Sequence, residues 1–326
     1  MIELQSAQTY AAALDEVTAE KMRADDRIFF MATNPPEALR AEFGPKRVRE
    51  MPIAESAMAG IAIGAAASGL RPILHFSAVN FSFVAFDQIV NQAARIRYMF
   101  GGQRDFPIVF RAKYLNGTRS AAQHSQTGYA YYAHAGGIKL VVPSSAAEAI
   151  SLYTAAINDP NPVMLFEPER LHTVADDSAT PPAGLPGLGR ADVKRVGADV
   201  TVVAIGYMVR EALRVAVELE AQGISVEVID PRTLVPLDVE TIARSLRKTG
   251  RLVVVDESYP TCSFASEVIT ILTEDPATFA FLQAAPRRVC TTPTPVPYSP
   301  VLEDFVLPGQ NHIRRAILEV VRKEAQ

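Results

Sequence analysis

A chain of 326 residues that is 48% hydrophobic and 21% charged has enough apolar material for two domains with cores of their own, which excludes a disordered or fibrous protein. The net charge of −4, with no block of Lys and Arg, gives neither a nucleic acid nor an anionic membrane a reason to bind. Two distant cysteines, Cys262 and Cys290, cannot form a disulfide framework, and Met1–Ser6 has neither the basic start nor the apolar run of a leader, so a reducing, cytoplasmic setting is expected.

In chain order, apolar residues at helical spacing predict a helix over Thr9–Met22, and the apolar run Ile28–Met31 predicts a buried strand. Glu55–Ser68 predicts a helix of small side chains that Gly69 ends. Pro72–Phe76 predicts a strand, Phe83–Arg97 a helix, and Pro107–Phe110 a strand. Ser144–Ile157 predicts a helix whose start, Ser144-Ser145 followed by Glu148, resembles a capping box; Val163–Glu167 follows as a strand. This alternation defines an α/β protein with parallel sheets covered by helices. The Pro- and Gly-rich run Ala179–Gly189 cannot hold regular structure, which places a linker at 176–190 between a first domain at 1–175 and a second at 191–326. In the second domain, strands are predicted at Val200–Ile205, Ser225–Asp230 and Arg251–Val255, and helices at Met208–Gln222, Asp238–Lys248 and Asn311–Lys323.

The sequence has no Gly-rich phosphate loop opening a helix, no His pair on one helix face and no nucleophile elbow. A phosphorylated cofactor would therefore need its diphosphate held by another chain. Three segments can carry chemistry. Glu55 opens an otherwise small and apolar helix; it is either a sheltered carboxyl or a solvated charge favoured by the helix N-terminus. His124 lies in the loop Ala121-Ala-Gln-His-Ser-Gln126 that follows a strand; it is either a ligand-facing residue or a surface histidine bonded to its own loop. Oxygens of Ala156-Ile157-Asn-Asp159-Pro-Asn161 are able to ligate a hard monovalent cation, although the same run also reads as a plain helix stop and turn.

Together these segments and their surroundings resemble a known family. The matching motifs are Pro52-Ile-Ala-Glu55, Ala59-Gly-Ile-Ala-Ile-Gly-Ala-Ala66, Gly69-Leu-Arg-Pro-Ile73, Asn80-Phe-Ser82, Phe86-Asp-Gln88, Tyr98-Met-Phe-Gly-Gly102, Pro107-Ile-Val-Phe-Arg111 and Ala121-Ala-Gln-His-Ser-Gln126. The second half adds Val228-Ile-Asp-Pro-Arg-Thr-Leu234 and Thr294-Pro-Val-Pro-Tyr-Ser-Pro-Val-Leu-Glu303. In order and spacing they resemble the beta subunit of the thiamine diphosphate-dependent decarboxylating component of 2-oxo acid dehydrogenase complexes, of the pyruvate, branched-chain and acetoin types, which is transketolase-like.

The resemblance implies a parallel-sheet pyrimidine-binding domain followed by a smaller transketolase C-terminal α/β domain. It implies that Glu55 hydrogen-bonds the ring nitrogen of the cofactor's aminopyrimidine, that Phe81 packs on that ring with Ser77 beside it, and that His124 is the active-site histidine that either stabilises the intermediate or hands a proton to the acyl acceptor. A carboxyl sheltered by apolar groups is suited to sharing a proton near neutral pH. Further implications are His75 as a substrate contact and a potassium site, found in some members, at Ile108, Ala156, Ile157, Asp159 and Asn161. The diphosphate and its magnesium would sit on an alpha subunit. The C-terminal domain would join two copies into a two-fold heterotetramer, and a lipoyl acyltransferase core is a further expected partner.

The chain also departs from the family. Phe30–Arg40 is shorter than the usual loop after the first strand and lacks its acidic start, Thr261-Cys-Ser-Phe264 replaces a Gly-Gly pair, and Ser77 stands where a larger apolar residue is common. These departures leave two alternatives to the 2-oxo acid dehydrogenase beta subunit. One is half of a split transketolase or acyloin-forming enzyme that passes a two-carbon unit to an aldehyde. The other is a non-catalytic scaffold, against which the retention of Glu55 and His124 speaks.

Overall fold

In the computed structural model, residues 8–176 and 187–322 are described; residues 177–186, most of the segment expected to be a linker, lie outside the described residues. The chain divides into two compact units, one formed by residues 1–115 and 126–188 and the other by residues 116–125 and 189–326. The second unit thus draws Asn116–Ser125 from within the first half of the sequence, an exchange that no shift in composition marks.

The first unit opens with helix α1, Tyr10–Ala24. The Thr9 hydroxyl caps it by accepting the Ala12 N–H, and Tyr10, Ala13, Leu14 and Val17 are buried along one face. Its strands are β1 Ile28–Ala32, β2 Val48–Glu50, β3 Arg71–Ala78, β4 Val109–Tyr114, β5 Lys139–Val141 and β6 Val163–Pro168. They lie in the order β5-β6-β4-β3-β1-β2, and every neighbouring pair is parallel. Strands covered on both faces read as continuous apolar runs, as β1 does with all five positions buried. Because the strands are parallel, their C-terminal ends share one edge, where α/β sheets present ligand-facing loops.

The longer helices that accompany this sheet besides α1 are α2 Glu37–Arg47, α3 Glu55–Ala67 and α4 Ala146–Asn158. Helix α2 begins within the Phe30–Arg40 segment just after Pro35-Pro36, and Gly44, at φ 72°, kinks it near its end. Arg47 secures its last turn by donating to the carbonyls of Met22, Asp25 and Ile28 at 2.6, 2.9 and 2.9 Å. Helix α4 starts at the expected cap, with the Ser145 hydroxyl accepting the Glu148 N–H at 3.1 Å. The single helix expected over Phe83–Arg97 is instead a 3₁₀ turn at Phe83–Ala85, a π turn at Gln88–Ala93 and an α-helix at Ala94–Met99. Within the π turn, Ile89, Val90 and Ala93 are buried.

The second unit has strands β7 Asp192–Arg195, β8 Val200–Ala204, β9 Val226–Asp230, β10 Leu252–Asp256 and β11 Arg287–Cys290, in the order β11-β10-β8-β9-β7. Strand β7 is antiparallel to β9; the other pairs are parallel. Helices α5 Tyr207–Glu220, α6 Val239–Thr249, α7 Phe264–Glu274, α8 Pro300–Val306 and α9 Gln310–Val321 accompany it. Val202, Val228 and Val253 pack with Met208 and Ala212 of α5 and Ile313 and Ile317 of α9 in one apolar cluster. Each such Val or Ile, fully buried, contributes roughly 1.5–3 kcal/mol over leaving it in water. No helix among the described residues is long and apolar enough to cross a membrane.

Candidate active site

Glu55 is the first residue of α3 and only 8% exposed. Its carboxyl therefore stands at the positive end of the helix while its surroundings withhold water, which combines the two readings left open by the sequence. Behind it, Met58, Ala59, Ala62 and Ala66 turn into the core. The Ser56 hydroxyl donates to the Val84 carbonyl at 2.6 Å, tying the start of α3 to the segment that follows β3.

Strand β3 ends irregularly. Its register with β4 shifts between His75 and Ala78, and Ser77 adopts φ 62°, a left-handed conformation that costs a non-glycine residue about 1–3 kcal/mol. The Ser77 hydroxyl lies 3.5 Å from that of Thr33, just beyond β1. The irregularity turns the chain into the short helix Val79–Ser82, which carries Phe81. Behind Phe81, the Ser82 hydroxyl donates to the Val79 carbonyl at 2.5 Å and lies 2.7 Å from the Tyr132 hydroxyl. His75 Nε2 and Asn80 Oδ1 are both sealed from solvent and find no hydrogen-bond partner among the described residues. Glu55, His75, Ser77 and Phe81 thus all belong to the first unit, on α3, on the end of β3 and on the short helix that follows it.

His124 belongs to the Asn116–Ser125 segment of the second unit. Its backbone N–H donates to the Ala121 carbonyl at 3.2 Å, and ring Nδ1 lies 3.3 Å from the Ser120 carbonyl oxygen. A carbonyl oxygen can only accept, so Nδ1 is the donor of that contact, and in the neutral ring the lone pair then lies on Nε2.

The oxygens expected to hold potassium already have protein donors. The Ile108 carbonyl accepts the Val163 N–H at 2.9 Å, and the Ala156 carbonyl accepts the Asp159 N–H at 3.3 Å. Arg71 donates to the Ile157 carbonyl, Lys139 to the Asp159 carboxylate and Arg97 to the Asn161 side-chain oxygen. Asp159 Oδ2 and Asn161 Oδ1 are thus committed to internal cations, and Asp159 Oδ1 accepts the Asn161 N–H at 2.9 Å, so main-chain carbonyls, each with a second lone pair, are the better fit to a further ion.

One buried network is invisible to the sequence reading. Arg111 of β4 donates to both carboxylate oxygens of Glu167 at the end of β6, at 2.7 and 3.2 Å, with its guanidinium 4.9 Å from the Tyr153 ring centre. His172 Nε2 stands 3.3 Å from the same carboxylate. Burial by itself would raise the Glu167 pKa, but Arg111, His172 and His75 outweigh it and hold the group well below the carboxylate range. His75, opposite Arg111 in the sheet, is driven the other way: burial above all takes its pKa to about 3 and keeps the ring neutral. The available signal was a charged residue inside each of two apolar strands.

Comparison with known proteins agrees with this layout. Residues 6–173 match the transketolase pyrimidine-binding domain and residues 189–313 the transketolase C-terminal domain. A solved structure described as split gene transketolase, inactive beta4 tetramer, shares the fold, with a TM-score of 0.78 at 23% identity over 97% of this chain and 98% of that one. The architecture is therefore transketolase-like. Among sequence relatives, the pyruvate dehydrogenase E1 component subunit beta of Rhizobium meliloti is 41% identical over 97% of this chain and 70% of its own length. The acetoin:2,6-dichlorophenolindophenol oxidoreductase subunit beta of Bacillus subtilis is 42% identical over 89% of this chain and 84% of its own. The chain belongs to the family of these beta subunits.

Proposed function

We propose that the chain is the beta subunit of a heteromeric, thiamine diphosphate-dependent 2-oxo acid dehydrogenase, and that it works only with an alpha subunit that holds the cofactor's diphosphate and magnesium. The observation that carries this reading is Glu55, a nearly buried carboxyl at the start of a helix of small residues. The chemistry of the neighbouring groups fits an aminopyrimidine. A carboxyl is present for a ring nitrogen, an aromatic side chain for a flat face, and the sealed Asn80 Oδ1 lacks a partner among the described residues. When bound, the cofactor supplies the electron sink for carbon–carbon bond cleavage.

The residues of this chain take the remaining roles. Glu55 hydrogen-bonds the pyrimidine nitrogen, and Phe81 packs against the ring with Ser77 at its edge. His75, neutral, offers Nε2 to the substrate. His124 moves a proton at Nε2 while Ser120 fixes Nδ1. A potassium ion, where bound, would use main-chain carbonyls of Ile108, Ala156, Ile157, Asp159 and Asn161.

Two surfaces support the assembly. The outward face of α3 is bare, since a side chain added at Gly60 or Gly64 would meet nothing within 4 Å; it suits close approach of an alpha-subunit helix. In the second unit, Tyr298, Val301, Leu302 and Phe305 are all more than half exposed, an apolar patch suited to a second copy of this chain and hence to a two-fold heterotetramer. A lipoyl acyltransferase core would then receive the acyl group. The acetoin relatives favour one variation, in which the substrate is a hydroxyketone rather than a 2-oxo acid.

The test is Glu55→Gln in the co-purified alpha–beta complex, assayed with pyruvate, branched-chain 2-oxo acids, acetoin and ketose phosphates. Turnover is expected to drop at least about 100-fold with assembly unchanged. Wild-type turnover in the variant removes the assignment.

A further inference from the structure

We propose that Glu303 is a positioning residue for His124: its buried carboxylate clamps the strained loop that sets the histidine's place. The inference rests on the role given to His124 above. It begins from the backbone of Asn116–Ser125, where Arg119 and Ala121 adopt φ 63° and 60°. Both are non-glycine residues in the left-handed region, a conformation that persists only where the surroundings impose it.

Glu303, in α8, is fully buried, and its carboxylate accepts three hydrogen bonds from this loop. The donors are the Gly117 N–H at 2.9 Å, the Arg119 N–H at 3.0 Å and Arg119 Nη1 at 2.7 Å. Two main-chain donors and a guanidinium satisfy a charge that could not otherwise be buried. The guanidinium also pairs in parallel with Asp304, Nη1 to Oδ1 at 2.7 Å and Nη2 to Oδ2 at 3.0 Å. A second fastening holds the entry of the loop, where Asn116 Nδ2 donates to the Glu257 carbonyl at 3.3 Å.

The clamp reaches His124 through only a few bonds. Ser120 and Ala121 follow the clamped Arg119 directly. Ser120 supplies the carbonyl facing His124 Nδ1, and Ala121 supplies the carbonyl that accepts the N–H of His124 at 3.2 Å and of Ser125 at 3.1 Å. Ring position and tautomer are therefore both referred to a backbone that Glu303 holds from the other side. Catalytic groups must be placed to a fraction of an ångström, so a loosened clamp reads out as lost turnover even though Glu303 touches no reacting atom.

The test uses the alpha–beta complex and a mutant cycle of Glu303→Gln, His124→Ala and the double variant. Glu303→Gln should lower kcat roughly 10–100-fold with KM nearly unchanged. It should also speed amide hydrogen exchange at Gly117 and Arg119. In the His124→Ala background the same change should alter kcat by less than about twofold, since coupled residues are not additive. Losses that multiply in the double variant, or exchange in the loop as slow as in wild type, overturn the inference. Full turnover in His124→Ala overturns the role given to His124 and this inference with it, whereas multiplying losses overturn the inference alone. If Glu303→Gln fails to assemble, Arg119→Ala, which removes only the part-exposed guanidinium, takes its place in the cycle, and the same outcomes support or overturn the inference.

Discussion

His75 should make the protein acid-sensitive through a window that can be stated in advance. His75 is partly exposed as a residue, but Nε2 is sealed and has no partner among the described residues. Burial is the main reason its pKa falls to about 3; Glu167 pulls it up, while Arg111, Lys113 and His172 push it lower. An unfolded histidine titrates near 6.5, so between pH 6.5 and 3 the unfolded chain binds more protons than the folded one. Stability is then undiminished above about pH 6.5, falls as the pH falls through that window, and stops falling on this account near the folded value. At pH 5 the two pKa values give a loss of about 2 kcal/mol. The assay is denaturant unfolding of the wild type and of His75→Gln at pH 7.5, 6 and 5. The variant should be less pH-dependent by about that amount, whatever its stability at pH 7.5. Parallel curves for the two proteins would refute the reasoning.

Other outcomes follow from the same structure. Mid-helix glycines cost roughly 0.5–1 kcal/mol relative to alanine, so Gly60→Ala or Gly64→Ala should stabilise the unassembled chain by about that amount. Gly64→Leu should leave the chain folded yet prevent co-purification with an alpha subunit; retained assembly would show that α3 faces no close partner. Glu167→Ala leaves Arg111 buried and uncompensated and should cost about 3–5 kcal/mol of stability, measured by unfolding, with Glu167→Gln costing less. Because its pKa is depressed, the stabilisation from Glu167 is whole above the unfolded carboxylate range and is lost as the pH falls towards the folded value.

Local chemistry is legible in the sequence where a single residue type decides it. The cap at Ser145, the buried run at Ile28 and the apolar helix opening with Glu55 all lie where periodicity and capping residues place them. Asp238, accepting the Thr241 N–H at 3.1 Å, opens α6 in the same way. What the sequence hides depends on packing between distant residues. Helix α2 follows two prolines and buries only Leu39 among its side chains, so it carries too little apolar periodicity to be read. Glu303 lies in a matched motif but shows no role there, because its partners lie more than 180 residues earlier in the chain. Arg111 and Glu167 are likewise visible singly and meaningless until the sheet places their strands side by side.

The assignment of Asn116–Ser125 to the second unit bears on how such proteins can be cut and recombined. A gene severed near residue 188 would yield an N-terminal fragment still carrying this stretch, but without the carboxylates that pin it. Chimaeras that exchange C-terminal halves between relatives would have to carry matching versions of Gly117–Arg119 and Glu303-Asp304, or inherit a histidine out of alignment. The two halves are therefore not interchangeable cassettes, because a substitution near the end of the chain can loosen a loop encoded in its first half.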